Sequence, residues 1–259
     1  MHTPSTRSDR VVVVGVGQAP VTRRPSRDPR LSLRAVSFLK TEGQPSAALL
    51  TDRQRRELTS IATRLDLPPR RIVYREQTTA EAVFICAEGA LKSYRDLPSG
   101  KRRVMAFWFR DDICGLAENG RYVNTVQTIM PTVCYRLPLS SLVAKLLQDA
   151  HLNFNFLIKV AHELRELQQR TILVGRRSAR GRLATFLKLM EASPLSPRTP
   201  GTIHLPMSRT DIANYLGLSL ESVSRATREL SDAGIVKFAG PHVVRVLDQR
   251  KLDRLAADV

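Results

Sequence analysis

Three polar side chains, Glu221, Ser224 and Arg225, stand at positions i, i+3 and i+4 of the segment LESVSRATREL. If this segment is a helix, the spacing places all three on one face close to its first turn. An arginine can donate two hydrogen bonds to guanine, a glutamate can accept one from the cytosine amino group, and a serine can serve several base edges. The chemistry available to this face is therefore the reading of base edges in a DNA major groove.

The residues before this segment predict a first helix and a tight turn. Ser208 and Asp211 stand three positions apart ahead of an apolar run, a variant of the capping-box pattern with Asp in place of Glu. Gly217 then provides the backbone freedom that a tight turn needs. The inner side of this first helix is expected to consist of Ile212, Ala213 and Leu216.

The second helix is predicted to begin after Ser219, whose side chain can cap it. A small residue in the first helix, a glycine in the turn and a β-branched residue in the second helix together indicate a helix-turn-helix. An amphipathic helix pair with an incidental charged face is the alternative. We expect the core face of the second helix to consist of Leu220, Val223, Thr227 and Leu230.

Beyond Gly234, the stretch IVKFAGPHVVRVLD alternates as two strands about a Gly240-Pro241 turn, which predicts a wing. Either Lys237 or Arg245 of this wing can contact a DNA phosphate. Hydroxyl and cationic groups around both helices are suited to the same task. The predicted DNA-backbone contacts are Ser208, Arg209, Thr210, Ser219, Ser222, Arg228 and Lys237.

The charge distribution favours a polyanionic partner. The 259 residues include 41 Lys and Arg against 24 Asp and Glu, a formal net charge of +17, and 42% of them are hydrophobic. Residues 1–40 hold 8 basic and 2 acidic side chains, and residues 175–259 hold 14 and 8, so the basic excess is densest at the two ends. Double-stranded DNA is the expected partner. No apolar run approaches the roughly 18 residues that span a bilayer, so we expect no membrane association.

Residues 51–138 predict a short helix followed by a β-domain. The segment TDRQRRELTSIATRL predicts a helix capped by Thr51, with Leu58, Ile61 and Leu65 facing inward. The runs RIVYRE, AVFICAEGALKSYR, KRRVMAFWF and TVCYRLP then alternate or are rich in β-branched and aromatic residues, and turn signals separate them. Closely spaced strands of this kind predict an antiparallel sandwich or barrel.

A long helical stretch is predicted from about Leu139 to Val174. Within it, side chains recur at 3-4-3-4-3 spacing between polar flanks, which is a heptad seam. We interpret the seam as a parallel homodimer contact; packing of the helix on its own domain is the alternative. The predicted dimerisation residues are Leu157, Val160, Leu164, Leu167, Thr171 and Val174.

Residues 1–45 are rich in Ser, Pro, Thr and Arg, show no sustained period and are interpreted as a flexible basic tail. The tail contains Gly15 and Gly17, but a dinucleotide fingerprint would need a third glycine, and Pro20 interrupts the following stretch. A nucleotide-binding enzyme that uses these two glycines is a remote alternative. The rest of the chain offers no paired carboxylates, nucleophile constellation or metal-ligand spacing, so we expect no enzymatic activity.

The three cysteines, Cys86, Cys114 and Cys134, form no C-x-x-C pair, which excludes a disulfide framework and a zinc or iron–sulfur spacing. A reducing cytoplasm is the simplest setting. Cys86 and Cys134 lie in apolar strand patterns and are expected to be buried. Cys114 lies beside Asp111, Asp112 and a glycine, and it is the one candidate redox thiol.

From about residue 50 onward the chain resembles the Crp/Fnr superfamily of bacterial transcription regulators. The segment MSRTDIANYLGLSLESVSR is similar to the Fnr and FixK branch, whose E-x-x-S-R motif is matched by Glu221, Ser224 and Arg225. The resemblance implies an α+β fold with a cyclic-nucleotide-binding-like β-jelly roll (double-stranded β-helix) over 46–138, a long dimerisation helix over 139–175 and a winged helix-turn-helix over 176–259. It also implies a homodimer on a palindrome close to TTGAT-N4-ATCAA, in contact with RNA polymerase.

The departures from the family concern its cofactors. Fnr-type oxygen sensors carry N-terminal cysteines, and residues 1–85 contain none, so an iron–sulfur cluster is not expected. Cyclic-nucleotide binders of the family use a Gly-Glu pair and an Arg-Ser or Arg-Thr pair. This chain has Gly115-Leu116 and Asn124-Thr125 instead, so a bound phosphate would lack its charged partner unless Arg121 replaced it.

Haem is not expected either, because His151 and His162 occupy ordinary helix positions. The sequence therefore predicts no cofactor and no metal, as in FixK-like members that act without a bound effector. An effector-dependent regulator that senses a small ligand, or a redox signal through Cys114, is the alternative.

Overall fold

The computed structural model describes residues 30–35, 47–175, 178–196 and 200–257, apart from the side chains of residues 169–174. The helices α1 to α7, in chain order, are Asp52–Ile61, Leu139–Gln148, Ala150–Gly175, Ala179–Glu191, Arg209–Leu216, Leu220–Asp232 and Gln249–Ala257. The strands β1 to β7 are Arg34–Ala35, Ala47–Ala48, Thr63–Leu67, Ile72–Tyr74, Ala82–Glu88, Leu91–Asp96 and Arg102–Trp108. The strands β8 to β15 are Ile113–Cys114, Ala117–Glu118, Arg121–Tyr122, Thr125–Thr128, Thr132–Pro138, Thr202–His204, Val236–Phe238 and Val243–Val246.

Two four-stranded antiparallel sheets form the predicted jelly roll. One has the strand order β3-β12-β5-β8 and the other β4-β11-β6-β7. The strands β5 and β6 are consecutive in the chain but lie in different sheets, so the chain crosses from one sheet to the other between them. The predicted sandwich of short antiparallel strands is confirmed.

The strand β5 is buried on both faces, which explains why its sequence AVFICAE is apolar without alternation. Phe84 and Cys86 point into the cluster between the two sheets. Val83 and Ile85 point the other way, into a cluster that also contains side chains of α1, α2 and α3. The second cluster explains why three helices lie against this sheet and not against the other.

The N-terminal boundary of the folded chain differs from the prediction. Residues 30–35, assigned from the sequence to a flexible tail, lie against the β-domain, with Leu31 and Leu33 fully buried. The Leu49 amide donates to the Leu33 carbonyl at 2.9 Å, and β1 pairs with β2. The alternation of apolar and polar residues in LSLRA was a strand signal, and the basic composition around it masked that signal. Gly15 and Gly17 lie outside the described residues.

The predicted helix after Thr51 is confirmed in its start but not in its length. The Thr51 side chain accepts a hydrogen bond from the Gln54 amide, and the Gln54 side-chain oxygen accepts one from the Thr51 amide, which is a complete capping box. The helix ends at Ile61 because Ala62 has an extended backbone. Leu65 was predicted to lie on the inner face of this helix, but it lies on β3 instead.

The helical stretch predicted between Leu139 and Val174 consists of two helices. The helix α2 ends at Gln148, and Asp149 has an extended backbone. The Asp149 carboxylate then accepts from the Leu152 amide at 2.9 Å and from the Gln54 side chain at 3.1 Å, so it caps α3 and ties that helix to α1. Among the helices that the structure describes, none combines the length and apolar character needed to cross a membrane.

The C-terminal part has the predicted winged helix-turn-helix architecture with one additional strand. The helix α4 begins at a Ser178 cap, and β14 and β15 form the predicted antiparallel wing. The strand β13, which precedes α5, pairs with β15 and extends the wing to three strands. The strand β13 was not predicted because it has only three residues, too few to show an alternating pattern.

A buried cationic side chain joins α3 to the jelly roll. The Lys159 side chain is 1% exposed, and its Nζ lies 2.9 Å from an Asp112 carboxylate oxygen and 2.8 Å from one of Glu163. Burial lowers the pKa of Lys159, but the two carboxylates together raise it by more than burial lowers it, so the net shift is upward. Burial, followed by the nearby Asp112 charge, raises the pKa of the Glu163 carboxyl to about 7.

Substituting Leu33 by alanine tests the docking of the N-terminal segment. The side chain is 0% exposed in the cluster beneath α1 and α3. We expect a loss of about 2–5 kcal/mol in the free energy of unfolding, because the change leaves a cavity. Urea denaturation measures this loss. The matched control is Leu97→Ala, at a hairpin position that is 43% exposed, which should change little. Equal midpoints for the two variants would contradict the docked arrangement.

The raised pKa of Glu163 predicts a pH dependence of stability. The unfolded carboxyl titrates near 4.5 and the folded one near 7, so the folded state holds its proton more tightly. The stabilisation is complete below the unfolded pKa and is lost as pH rises through 7. From pH 5.5 to 7.5, wild type should therefore lose more free energy of unfolding than Glu163→Gln, as measured by urea denaturation at each pH. Identical losses would count against this titration.

Candidate nucleic-acid interface

The first helix of the pair, α5, has both of its ends defined by local hydrogen bonds. The Asp211 amide donates to the Ser208 hydroxyl oxygen at 3.1 Å, and the Ser208 hydroxyl donates to the Asp211 carboxylate at 2.9 Å. Gly217 has φ of 67°, the left-handed conformation that ends a helix, and its amide donates to the Ala213 carbonyl. The predicted cap and turn are confirmed.

The second helix, α6, is capped by Ser219, which accepts from the Ser222 amide at 3.0 Å. Val223 and Leu230 are buried as predicted, and Ala226 is buried with them. Leu220 differs from the prediction because it is 49% exposed. It occupies the first position of the helix, at the edge of the core, where the turn places it in solvent.

The three side chains predicted to read bases lie on the opposite side of α6. Glu221 and Arg225 are exposed, and Ser224 is half-buried. Within the part of the chain that the structure describes, none of the three side chains has a hydrogen bond or an ion pair to another residue. Glu221 lies in the first turn, where the helix dipole favours a carboxylate. This face presents two charges and a hydroxyl that the fold itself does not use.

The predicted phosphate-contacting residues are mostly exposed. Arg209, Thr210, Arg228 and Lys237 are exposed, and Ser208 and Ser219 are exposed at the N-caps of the two helices. The Ser222 hydroxyl lies 2.9 Å from that of Ser219. On the wing, Lys237 and Arg245 are directly opposite each other on neighbouring strands, so both candidate side chains project from the same face of the sheet.

The predicted dimerisation strip is exposed along α3. Leu157, Val160, Leu164 and Leu167 have exposed fractions of 55%, 38%, 57% and 47%. The helix extends through Thr171 and Val174, whose side chains lie outside the described residues. Phe154, also 42% exposed, extends the strip by one turn. Phe154 was not predicted to belong to the strip because it does not fall in the heptad spacing.

Known proteins match both halves of this architecture. A Crp-like helix-turn-helix domain matches residues 181–255, and a cyclic nucleotide-binding domain matches residues 64–149. The chain is 32% identical over 209 residues to the transcriptional activatory protein AadR of Rhodopseudomonas palustris, which covers 78% of this chain and 84% of AadR. The chain belongs to the Crp/Fnr family, in its FixK branch.

Two further relatives of this Crp/Fnr protein agree with that placement. The nitrogen fixation regulation protein FixK of Bradyrhizobium diazoefficiens is 29% identical over 206 residues, covering 78% of this chain and 85% of FixK. The solved structure of FixK2 from Bradyrhizobium japonicum superposes with a TM-score of 0.71 at 33% identity and covers 77% of this chain and 99% of FixK2. The predicted family and fold class are confirmed.

Aromatic side chains stack between the two sheets of the jelly roll in this Crp/Fnr protein. The Tyr74 ring stacks on Tyr122 with centroids 3.9 Å apart and on Phe84 at 5.6 Å. The Tyr122 hydroxyl donates to the Ala82 carbonyl at 2.8 Å and accepts from the Ala82 amide at 3.3 Å. Burial raises the pKa of both phenols, so they remain neutral.

The residues that stand in place of the family's nucleotide ligands are engaged within the protein. The Thr125 hydroxyl oxygen accepts from the Glu76 amide at 3.0 Å, and the Asn124 amide oxygen lies 3.4 Å from the Tyr74 hydroxyl. Arg121 is exposed and donates to the Gln77 carbonyl at 2.6 Å, beside a surface cleft of about 380 Å³. Of these residues, Arg121 alone is cationic, and it lies at the surface beside this cleft.

The three thiols lie in one apolar cluster between the sheets. Cys86 and Cys134 are directly opposite each other on β5 and β12, and Cys114 is on neighbouring β8. All three are buried, and burial raises the pKa of Cys114 well above its usual value. This is the opposite of the exposed, low-pKa thiol of a redox sensor, so the structure gives no support to the candidate role of Cys114.

The two histidines considered as haem ligands lie on α3. His151 is exposed, and His162 is half-buried with its pKa lowered by burial and then by Lys159. In the described ranges no group of His, Cys, Asp and Glu side chains is arranged to hold a metal ion.

Proposed function

We propose that this protein is a homodimeric, sequence-specific DNA-binding transcription regulator that acts on a palindrome close to TTGAT-N4-ATCAA. The observation that carries the proposal is the outer face of α6, where Glu221, Ser224 and Arg225 remain free while Val223 and Leu230 fill the core. Arg225 would donate to guanine, Glu221 would accept from the cytosine amino group, and Ser224 would support both contacts.

The exposed strip on α3 supports the homodimer. A row of large apolar side chains that are each 38–57% exposed is costly to leave in water. Parallel pairing of two such strips would bury the row and place two copies of α6 in two-fold symmetry. A two-fold dimer demands two half-sites about one helical turn apart, which a palindrome provides.

The aromatic interior of the jelly roll supports action without a cyclic nucleotide. Tyr74 and Tyr122 occupy the space between the sheets, and Asn124-Thr125 offers no positive charge to a phosphate. The absence of cysteines from residues 1–85 supports a regulator without an iron–sulfur cluster. The domain would thus act as a rigid scaffold for α3 and α6.

The relatives support a role as activator. AadR is named a transcriptional activatory protein, and another relative, from Stutzerimonas stutzeri, is named transcriptional activator protein FnrA and is 30% identical over 188 residues. An activator on a palindrome upstream of a promoter would contact RNA polymerase, and we place this protein with both partners in the cytoplasm.

Substituting Arg225 by alanine tests the base-reading assignment. The change should cost about 1–3 kcal/mol of binding free energy for each half-site of the palindrome, because each half-site loses one bidentate base contact. The variant should lose its preference for the native base at one base pair of each half-site and keep its preference at the other base pairs. Fluorescence anisotropy with the palindrome, singly substituted palindromes and a scrambled duplex measures both effects.

The matched control is Arg228→Ala, which removes the same charge from an exposed position one turn further along α6. This variant should weaken binding to every duplex to a similar degree and reduce the salt dependence by about one phosphate contact per half-site. The base-reading role is refuted if Arg225→Ala binds the cognate and scrambled duplexes with the wild-type preference.

Substituting Leu164 by glutamate tests the dimer strip. The side chain is 57% exposed at the middle of the strip, and in a dimer two such carboxylates would face each other across an apolar contact. We expect a monomer at micromolar concentrations in sedimentation velocity, together with loss of palindrome binding. Gln168→Glu, which adds the same charge at an exposed position off the strip, should remain dimeric. A dimer that survives Leu164→Glu would place the interface elsewhere.

A further inference from the structure

The β6–β7 hairpin of the jelly roll packs directly on α5 of the helix-turn-helix. Tyr94 and Val104 of the hairpin are 4% and 0% exposed, and they share one hydrophobic cluster with Ile212 and Leu216 of α5. The two domains of a subunit are therefore joined by a continuous apolar core and not only by the chain that connects them.

An aromatic group continues this contact. The Phe107 ring on β7 lies 5.0 Å from the Tyr215 ring on α5 and 6.2 Å from the Phe186 ring on α4, measured between centroids. Such apolar contacts stabilise docking, but they are non-directional and allow small rotations of one surface on the other. The angle between the two domains needs a directional contact.

One ion pair within this contact is directional. The Lys92 ammonium on β6 lies 2.5 Å from a carboxylate oxygen of Asp211 on α5, and the two side chains are only 13% and 12% exposed. The other Asp211 oxygen accepts from the Ser208 hydroxyl at 2.9 Å. The carboxylate that helps to cap α5 thus has its charge balanced by a side chain of the other domain.

The opposite end of α5 is held by the same hairpin. The guanidinium of Arg103 on β7 lies against Gly217, where a Cβ atom would come within 3.0 Å of the guanidinium carbon. A cation at this position is favourable because it faces the negative end of the helix dipole. Asp211 and Gly217 are six residues apart, so Lys92 and Arg103 contact α5 at two points about 9 Å apart along its axis.

We propose that Lys92, acting through Asp211, is a positioning residue that sets the angle of the helix-turn-helix relative to the rest of its subunit. The proposal rests on the proposed function, because the angle matters only if two copies of α6 must meet two half-sites at once. A few degrees of rotation at α5 would move each α6 away from the spacing that the palindrome requires. A single half-site imposes no such condition.

The first test is DNA binding by Lys92→Met, which keeps an unbranched side chain one atom shorter than lysine and removes its charge. We expect the Kd for the full palindrome to rise on the order of tenfold. The Kd for a duplex with one half-site should change no more than in the matched control Lys101→Met. Lys101 is an exposed lysine of the same hairpin, so its removal lowers the net charge equally.

A double-mutant cycle with Asp211→Asn tests whether Lys92 acts through this carboxylate. If it does, the double variant should bind the palindrome no more weakly than the weaker single variant. Additive losses would overturn the proposal, and so would a Lys92→Met variant that matches Lys101→Met on the full palindrome.

The second test measures the angle without DNA. Spin labels on introduced Ser99→Cys and Glu229→Cys report the distance from the hairpin tip to α6; both positions are exposed, and the three native thiols are buried. In dimers with one labelled subunit, double electron–electron resonance should give a narrow distribution for the parent and for Lys101→Met. Lys92→Met should broaden or shift it.

The two tests separate this proposal from the proposed function. A parent protein that does not distinguish the palindrome from a scrambled duplex would refute the proposed function, and the distance distribution would still decide the role of Lys92. An unchanged distribution in Lys92→Met would overturn the positioning role even if DNA recognition is as proposed. A lower melting temperature with an unchanged distribution would likewise assign Lys92 to stability alone.

Discussion

Burial of the β5–β12 strand pair on both faces is the constraint on which the rest of the structure depends. Cys86 and Cys134 face the interior of the jelly roll, and Ile85 and Leu137 face the opposite way. An apolar surface on the outside of a sheet must be covered, and here α1, α2, α3 and the N-terminal segment cover it. The position of α3 follows from this requirement. The proposed dimer contact depends on it, because α3 can offer its outer side to a partner only while its inner side is held by the sheet.

The helix α3 combines two surfaces with different physical roles. Its inner side carries Leu152, Phe156 and the ion-paired Lys159, all of which are buried. Its outer side carries the apolar strip at heptad spacing. The buried ion pair of Lys159 with Asp112 adds direction to a contact that is otherwise apolar, in the same way as Lys92 with Asp211 between the two domains. In both places the apolar surface stabilises the contact and the charged pair defines the relative orientation of the two parts.

The features that sequence analysis predicted best are those set by neighbouring residues. The caps at Thr51, Ser208 and Ser219 join residues three positions apart, so their pattern is visible in the chain. The charged face of α6 was predicted for the same reason, because side chains at i, i+3 and i+4 share a face in any helix. The errors lie at edges. Leu65 and Leu220 both fit a periodic apolar pattern. Leu65 comes after the end of α1, and Leu220, at the start of α6, lies outside the core.

The sequence by itself determined the order of the β-domain, the long helical stretch and the helix-turn-helix, together with the helix caps, the turn at Gly217 and the composition of the face that α6 presents. These follow from backbone preferences and side-chain spacing within a few residues. Only the tertiary structure decided that residues 30–35 belong to the folded domain, that Cys114 is enclosed in the same apolar cluster as Cys86 and Cys134, and that Lys92 meets Asp211. The last pair is separated by 119 positions. Such contacts depend on how the two sheets and the helices pack, and no local pattern along the chain specifies which distant side chains that packing brings together.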